Sequence, residues 1–534
     1  MELLDHTPSG LTQHSAAAPA SQLQTTSQVE IQIQAAFAIA RLVADNVTLQ
    51  NLATESYNAL SKLSQLLDRA CMRCTQPPGG AKTDRASAST TFLANIAVKT
   101  PRTDTTVGVA PPTVDESAIR LREACLTALA ALTFQHDEPR RKLIDSVQPA
   151  VLPMVVSSIG FPALGVRVAA CRLTRALSRS LSILRTSIVD VGVAPKLVAL
   201  LQDSDEEEVV KVEATAAICN LVLDFSPMKK LIQELGGVDS LVQLAHNGGA
   251  VPPTSRSTEE ERYYMLSMTA TMPSNSNASI GTSGNLKDRS SRPSRISLSG
   301  SQQLRLHALW ALKNLLSHSD TALKSDVMSK LNFSFITTLL DSPTYDMVFK
   351  EQALNILRNA AASKECDVTF MVDGMGGGVR LMQLLEKCIW DGREAGEPGA
   401  AVIEQAAFVL VNVATGTDEH RRTLLRTPNI MDAIVFFCNH PWKVIRVAAA
   451  RCVGNLLARS QGAGATSTLA MADTADGGVG SGGYLDLHTE AKARMARFEL
   501  DVKMRDLAQN DPALDVRERA KSALNKLGID LRSI

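Results

Sequence analysis

Aromatic residues are scarce in this 534-residue chain: 13 Phe, 5 Tyr and 3 Trp make up 4% of it. Its apolar set is dominated instead by Ala and Leu, which suits helices that approach one another closely. An excess of either charge is missing too, with 55 basic against 55 acidic residues. That balance argues against the basic stripe of a nucleic-acid-binding protein. A cysteine framework is absent. Nine cysteines are scattered without regular spacing, and Cys125, Cys171, Cys219 and Cys452 fall at helical apolar positions, as small core side chains in a reducing compartment. Long hydrophobic runs are absent as well. The most apolar stretch, 147–170, is interrupted by Pro149, Pro153, Pro162 and Arg167, whereas a spanning helix needs about 20 apolar residues with few breakers. The opening MELLDHTPSG has no basic segment followed by an apolar one, so no signal peptide is read there. The expectation is a soluble protein, cytoplasmic and nuclear.

No catalytic set stands out. Histidines such as His136, His246, His307 and His420 have no recurring acid or nucleophile beside them. Cys71 and Cys74 form a lone CxxC, and a structural zinc site needs four ligands. The Gly-rich run Gly374–Gly378 follows a helical pattern rather than a strand, so it reads as a turn and not as a dinucleotide loop. The acidic run 203–208 precedes a helix starting near Val209, where acids favour the positive end of the helix dipole. Neither a cofactor, a metal nor a small-molecule ligand is expected, and the chain is read as non-enzymatic.

What the sequence does contain is a repeat. The segments 213–223 (EATAAICNLVL), 306–316 (LHALWALKNLL), 352–362 (QALNILRNAAA), 406–416 (AAFVLVNVATG) and 448–458 (AAARCVGNLLA) carry small and aliphatic residues at helical spacing, each with an Asn near its end. Asn220, Asn314, Asn359, Asn412 and Asn455 are separated by 94, 45, 53 and 43 residues. A unit of about forty to forty-seven residues is the armadillo/HEAT period, and the 94-residue step is one unit plus an insertion. Seventeen residues past Asn220, Asn359 and Asn412 lie Gly237, Gly376 and Asn429, residue types that tolerate the positive φ of a turn. Each unit thus reads as a long helix ending in Asn, a short helix, a turn and an apolar helix. Weaker copies place Arg41, Ala131, Arg175 (with Gly192 seventeen residues on) and Asn525 at the Asn position. The last of these, broken by Arg519, Lys521 and Lys526, reads as the polar cap a solenoid needs.

The predicted fold is all-α, an armadillo-repeat right-handed superhelix with long disordered insertions. Its parts are a disordered N-terminus (1–28), a degenerate repeat (29–74), a low-complexity linker (75–116) with a short apolar island at 90–98, repeats over 117–247, a Ser/Arg-rich insertion (248–303), repeats over 304–460, a Gly/Ala-rich loop (461–484) and a capping repeat (485–534). Within the 248–303 insertion, the pairs around Ser294 and Ser297 resemble basophilic-kinase sites, where phosphate changes local charge.

The asparagines leave two roles open. An amide offers both donor and acceptor, so Asn314, Asn359, Asn412 and Asn455 suit either the backbone of an extended peptide in a groove or the bracing of neighbouring helices. Trp310 precedes Asn314 by one turn on the same face, a pair similar to the cargo groove of importin α, and the expected partner-binding groove is Trp310, Asn314, Asn359, Asn412 and Asn455. The equivalent positions Ala216, Asn355, Phe408 and Arg451 lack tryptophan, which argues against a nuclear-localisation-signal receptor.

The stretches 166–207, 218–241 (with its LDFSP at 223–227), 306–328, 351–364, 404–425 and 507–527 closely resemble the armadillo repeat-containing protein eight family, the armadillo subunit of the GID/CTLH E3 ubiquitin ligase. The resemblance spans roughly residues 117–530. It implies a non-catalytic scaffold that joins a substrate receptor to the ligase core through its groove, in ubiquitin-dependent degradation. The implied partners are the receptor and other scaffold subunits, with no nucleic acid and no membrane. The family's usual chain has more repeats ahead of the matched region, and the insertions at 248–303 and 461–484 are not typical of it.

Overall fold

The computed structural model describes residues 18–75, 115–179, 187–223, 226–247, 299–458 and 486–529. Among them every regular element is a helix and no strand occurs. The island at 90–98, the Ser294 and Ser297 sites and the loop 461–484 lie outside the described residues. The chain forms two compact units, residues 1–196 and 197–534.

In the first unit, α1 (Ala18–Val43), α2 (Val47–Asn51) and α3 (Ala59–Thr75) form one triplet, and a π-helical turn, Leu52–Ser56, continues α2. The next triplet is α4 (Glu116–Thr133), α5 (Asp137–Asp145) and α6 (Val151–Ile159), followed by α7 (Leu164–Leu177) and α8 (Ser187–Asp190). α1 starts at Ala18, ahead of the position 29 expected for the first repeat. The apolar stretch 147–170 divides into α6 and α7. α4 packs between α1 and α7, and α3 packs on α4 and α6. The Asp115 side chain caps α4 by accepting from the Ala118 amide at 3.0 Å. Ala118, Ala124, Cys125, Ala128 and Leu129 are fully buried, and their small volumes permit close helix approach. Arg122 is buried among them. Its guanidinium donates to Ser158 Oγ (2.9 Å) and Ser157 Oγ (2.8 Å) and covers the Phe161 ring at 4.5 Å.

The two units divide within α9 (Val193–Gln202). The second unit continues with α10 (Glu208–Leu221), α11 (Met228–Glu234), α12 (Gly237–Asn247), α13 (Gly300–Leu316), α14 (Thr321–Leu331), α15 (Phe333–Asp341), α16 (Met347–Ala360), α17 (Glu365–Gly374) and α18 (Gly378–Glu394). It ends with α19 (Ala400–Val413), α20 (Asp418–Arg426), α21 (Pro428–Cys438), α22 (Lys443–Leu456), α23 (Leu487–Arg497), α24 (Leu500–Asn510) and α25 (Leu514–Leu527). The five helices that carry the asparagines, α10, α13, α16, α19 and α22, pack in sequence and α25 follows them. Behind them α15, α18, α21 and α24 form a second row, each touching the next. One triplet cannot cover its own apolar stripe, so the two rows bury a continuous core between them. Ala308, Leu309, Ala311, Leu312 and Leu315 of α13 are all fully buried, and full burial of a leucine contributes about 1.5–3 kcal/mol.

The turns depart from the sequence register in detail. Gly236 takes the left-handed φ (+76°) rather than Gly237. Gly237 is instead a point of close approach, since a Cβ there would lie 2.6 Å from Ile232 Cγ2. Gly376 and Gly377 both have positive φ (+87° and +91°). Asn429 does not turn the chain. It lies inside α21, whose start is set by Pro428 at a position that needs no backbone donor. The residue the register overlooked is Asn332, with φ +68° between α14 and α15.

A local clamp recurs in both units. In FPALGVR (161–167), HPWKVIR (440–446) and DPALDVR (511–517), the arginine donates to the carbonyls five and six residues behind it. Arg167 bonds Phe161 O and Pro162 O at 3.0 and 2.6 Å. Arg446 bonds His440 O and Pro441 O at 2.8 Å each. Arg517 bonds Asp511 O at 2.7 Å and Pro512 O at 3.3 Å. The clamp fixes the repeat register independently of the asparagines. Nine residues past each arginine lie Ala176, Asn455 and Lys526. Ala176, not Arg175, therefore holds the Asn position of its repeat, and Lys526, not Asn525, holds it in the cap.

Candidate partner-binding face: an asparagine ladder

The last carbonyls of a helix have no partner within the helix. In the second unit they are met by side chains from the following repeat. Asn314 Nδ2 donates to Cys219 O at 2.9 Å. Asn359 Nδ2 donates to Lys313 O at 2.9 Å, Asn412 Nδ2 to Arg358 O at 2.8 Å, and Asn455 Nδ2 to Val411 O at 3.1 Å. Each acceptor is the residue immediately before the previous repeat's Asn. Each lies in the last turn of its helix. The ladder ends on Lys526, whose Nζ donates to Gly454 O at 2.8 Å. A cation at that helix end also complements the negative end of the dipole.

Bracing consumes half of each amide. The Oδ1 atoms of Asn314, Asn359, Asn412 and Asn455 take no hydrogen bond among the described residues. Asn359, Asn412 and Asn455 are half-buried and their Oδ1 atoms are not among the buried atoms left without a partner, so this half of each keeps solvent access, while Asn314 is 2% exposed. The two roles the sequence left open are thus separate halves of one group.

The residues one turn earlier differ from rung to rung. Trp310 is only 7% exposed. Its ring stacks on His307 with centroids 5.5 Å apart, and His307 Nδ1 lies 3.2 Å from Val212 O. Trp310 is therefore buried against His307 of its own helix and makes no rung of the ladder. Phe408 is covered by the Arg358 guanidinium at 4.2 Å, and Arg358 donates to Gln405 Oε1 at 2.9 Å. Burial lowers the Arg358 pKa, partly opposed by Glu404. Burial likewise lowers that of Lys313, opposed by Glu351. Asn355 is half-buried and Arg451 exposed. The sequence did not single out Arg358 for a role, and it read Lys526 only as one of the charges of the polar cap. The signal for Lys526 was the clamp motif, 71 residues after its copy at Arg446.

Other motifs fall where packing accounts for them. Cys71 and Cys74 sit in the last turns of α3, and burial raises both thiol pKa values, that of Cys71 to about 11. Gly374 packs under the Phe333 ring, where a Cβ would lie 2.3 Å from Cε2. Among the described residues no cluster of three or more His, Cys, Asp or Glu is placed to hold a metal ion. Among them, too, no helix is long and apolar enough to cross a membrane.

Stacked helical triplets in two rows, four of them joined to the preceding repeat by an asparagine amide, make this an armadillo-repeat protein. The chain is similar to an engineered protein over 95% of its length and 97% of that chain, with a TM-score of 0.53 at 18% identity. It is also similar to a structure from work on a phosphorylation switch in the cadherin–β-catenin interaction. That match covers 96% of this chain and 76% of the other, with a TM-score of 0.53 at 13% identity. By sequence its homologues include GID complex subunit 5 of Schizosaccharomyces pombe, 28% identical over 321 residues, 60% of this chain and 32% of the relative. They also include Armadillo repeat-containing protein 8 of Xenopus laevis, 25% identical over 339 residues (64% and 38%), and that of Mus musculus, 25% identical over 339 residues (64% and 40%). The chain spans about a third to two fifths of the length of these relatives. No protein-family profile matches it.

Proposed function

We propose that this protein is a non-catalytic scaffold of a GID/CTLH-type E3 ubiquitin ligase, holding a substrate receptor and linking it to the ligase core in the cytoplasm and nucleus. The ladder carries this reading. Successive amides are held in fixed orientation by the neighbouring helix, and three of the four turn an unused acceptor towards solvent. An extended polypeptide is matched by such a row, because every peptide unit offers the N–H that an Oδ1 accepts. The names of the homologues point to the ligase rather than to another assembly. No nucleic acid, membrane or small-molecule ligand has a role in this reading.

A second armadillo reading, a peptide-groove adaptor in nuclear transport or adhesion, uses the same face with different partners. Affinity purification with mass spectrometry separates the two. Ligase subunits in the eluate support the scaffold. Importin β or cadherin-type partners in their place support the adaptor.

A further inference from the structure

A line of cations follows the ladder, and its character changes along the way. Lys313 of α13 has Glu351 nearby, and Arg358 of α16 has Glu404. Arg358 also feels Arg451 of α22, which in turn feels Arg519 of α25. At the first two positions a carboxylate offsets the charge. At the last two the neighbour is another guanidinium. Arg451 and Arg519 are both exposed, and neither makes a hydrogen bond or ion pair among the described residues. Some exposed cations of this unit are paired, as Lys387 is with Asp341 at 2.7 Å, Arg426 with Glu490 at 2.8 Å and Lys521 with Glu518 at 3.0 Å. Others, such as Lys443 and Arg505, are not paired among the described residues, and what sets Arg451 and Arg519 apart is that they sit on packed neighbouring helices beside the last rungs. Arg451 lies one turn before Asn455, and Arg519 two turns before Lys526, so both share the face of the last two rungs.

We propose that Arg451 and Arg519 form a carboxylate subsite, which receives an acidic side chain of an extended partner segment lying along Asn412 and Asn455. The proposal rests on the reading of the ladder as a partner-binding face. Charge complementarity selects the occupant. A neutral or basic segment would desolvate two like charges without compensation, whereas a carboxylate accepts the forked N–H groups of a guanidinium and relieves their repulsion. The shallow, exposed setting makes the contact sensitive to salt.

The test uses the full chain and two fluorescein-labelled octapeptides, one alternating Asp and Glu, the other alternating Asn and Gln, read by fluorescence anisotropy. The acidic peptide is expected to bind and the amide peptide not. Arg451→Glu with Arg519→Glu should weaken the acidic peptide by about tenfold or more, and Lys387→Glu, on the second helix row, should not. Added salt should weaken binding in the wild type. Equal binding of both peptides, or unchanged binding in the double variant, overturns the subsite. A gain of about tenfold on deleting residues 461–484 would show that the chain's own loop is the occupant and overturn it as well. Co-purification distinguishes this failure from failure of the ligase reading. Ligase subunits retained equally by wild type and double variant leave that reading intact and overturn the subsite. Acidic-peptide binding that needs both arginines, without ligase subunits in the eluate, upholds the subsite and overturns the ligase reading.

Discussion

Lys526 Nζ donates to Gly454 O at 2.8 Å, the bond that Asn455 Nδ2 makes to Val411 O one repeat earlier. The same carbonyl position is thus served by an amide inside the array and by an ammonium at its end. The ammonium has no acceptor to offer. This separates what the asparagines do for the fold from what they offer a partner, and it allows the two to be tested apart.

Removing a rung should be measurable but modest. Asn412→Ala loses one hydrogen bond to Arg358 O and should cost about 1 kcal/mol. Asn412→Asp sets a carboxylate against a carbonyl oxygen and should cost more. Thermal denaturation followed by circular dichroism orders the three proteins. Equal melting of wild type and Asn412→Ala would show that the rung contributes nothing.

The Lys324–Asp367 pair behaves differently. Lys324 and Asp367 side chains are 2% and 3% exposed, and Nζ lies 2.7 Å from Oδ2. Thr321 Oγ1 donates to the other carboxylate oxygen at 2.9 Å, and the ammonium also donates to Ala362 O. Lys324→Met strands a buried carboxylate and should destabilise by about 3–5 kcal/mol. Adding Asp367→Asn should recover part of that loss. A double-variant cycle in denaturant showing simple additivity would contradict the coupling.

Two glycines should respond in opposite directions. Gly454 lies within α22, and a Cβ there meets Ala523 Cβ at 3.8 Å, an ordinary contact. Gly454→Ala should stabilise by up to about 1 kcal/mol through helix propensity. Gly237→Ala would place its Cβ 2.6 Å from Ile232 Cγ2 and 2.9 Å from Ile232 O, and should destabilise. Melting temperatures moving the same way would contradict this packing.

Acidification should weaken the fold through His440. Its Nδ1 accepts the Trp442 backbone N–H at 3.1 Å. Burial first, and the Arg446 charge second, lower its pKa below the ordinary value of 6.5. The unfolded state therefore binds the proton more readily, and stability rises with pH. The contribution is complete above about pH 6.5 and is lost as pH falls through the lower folded-state value. His136, also lowered by burial and then by Arg140, adds in the same direction. His440→Gln should flatten the fall in stability between neutral and mildly acidic pH. An unchanged slope would count against it.

The helices and their period were legible because Asn220, Asn314, Asn359, Asn412 and Asn455 recur at the same place on similar apolar faces. Register by a single residue was less so. Gly236 and Gly237 are both glycine, and only backbone geometry tells the turn from the close contact. In the cap, Asn525 matches by type while Lys526 matches by position, because an ammonium on a long stem reaches the same carbonyl. Buried cations were not legible at all. Arg122 and Lys324 look like surface residues until Ser157, Ser158, Phe161 and Asp367 arrive from distant segments. The bracing partner of each Asn was likewise hidden, since a backbone carbonyl has no sequence signature. Trp310 stood out by type, but it is largely buried and stacked on His307 of its own helix.

The two halves of the amide can be separated by one substitution that the protein already uses. Asn359→Lys with Asn412→Lys keeps a donor to Lys313 O and Arg358 O, as Lys526 does to Gly454 O, and removes both amide oxygens. The decisive measurement is quantitative co-purification of ligase subunits with this double variant and with wild type, at matched helicity and melting temperature. A folded protein that recovers few or no ligase subunits is expected. Full recovery by a folded double variant would contradict it, leaving the asparagines as braces alone.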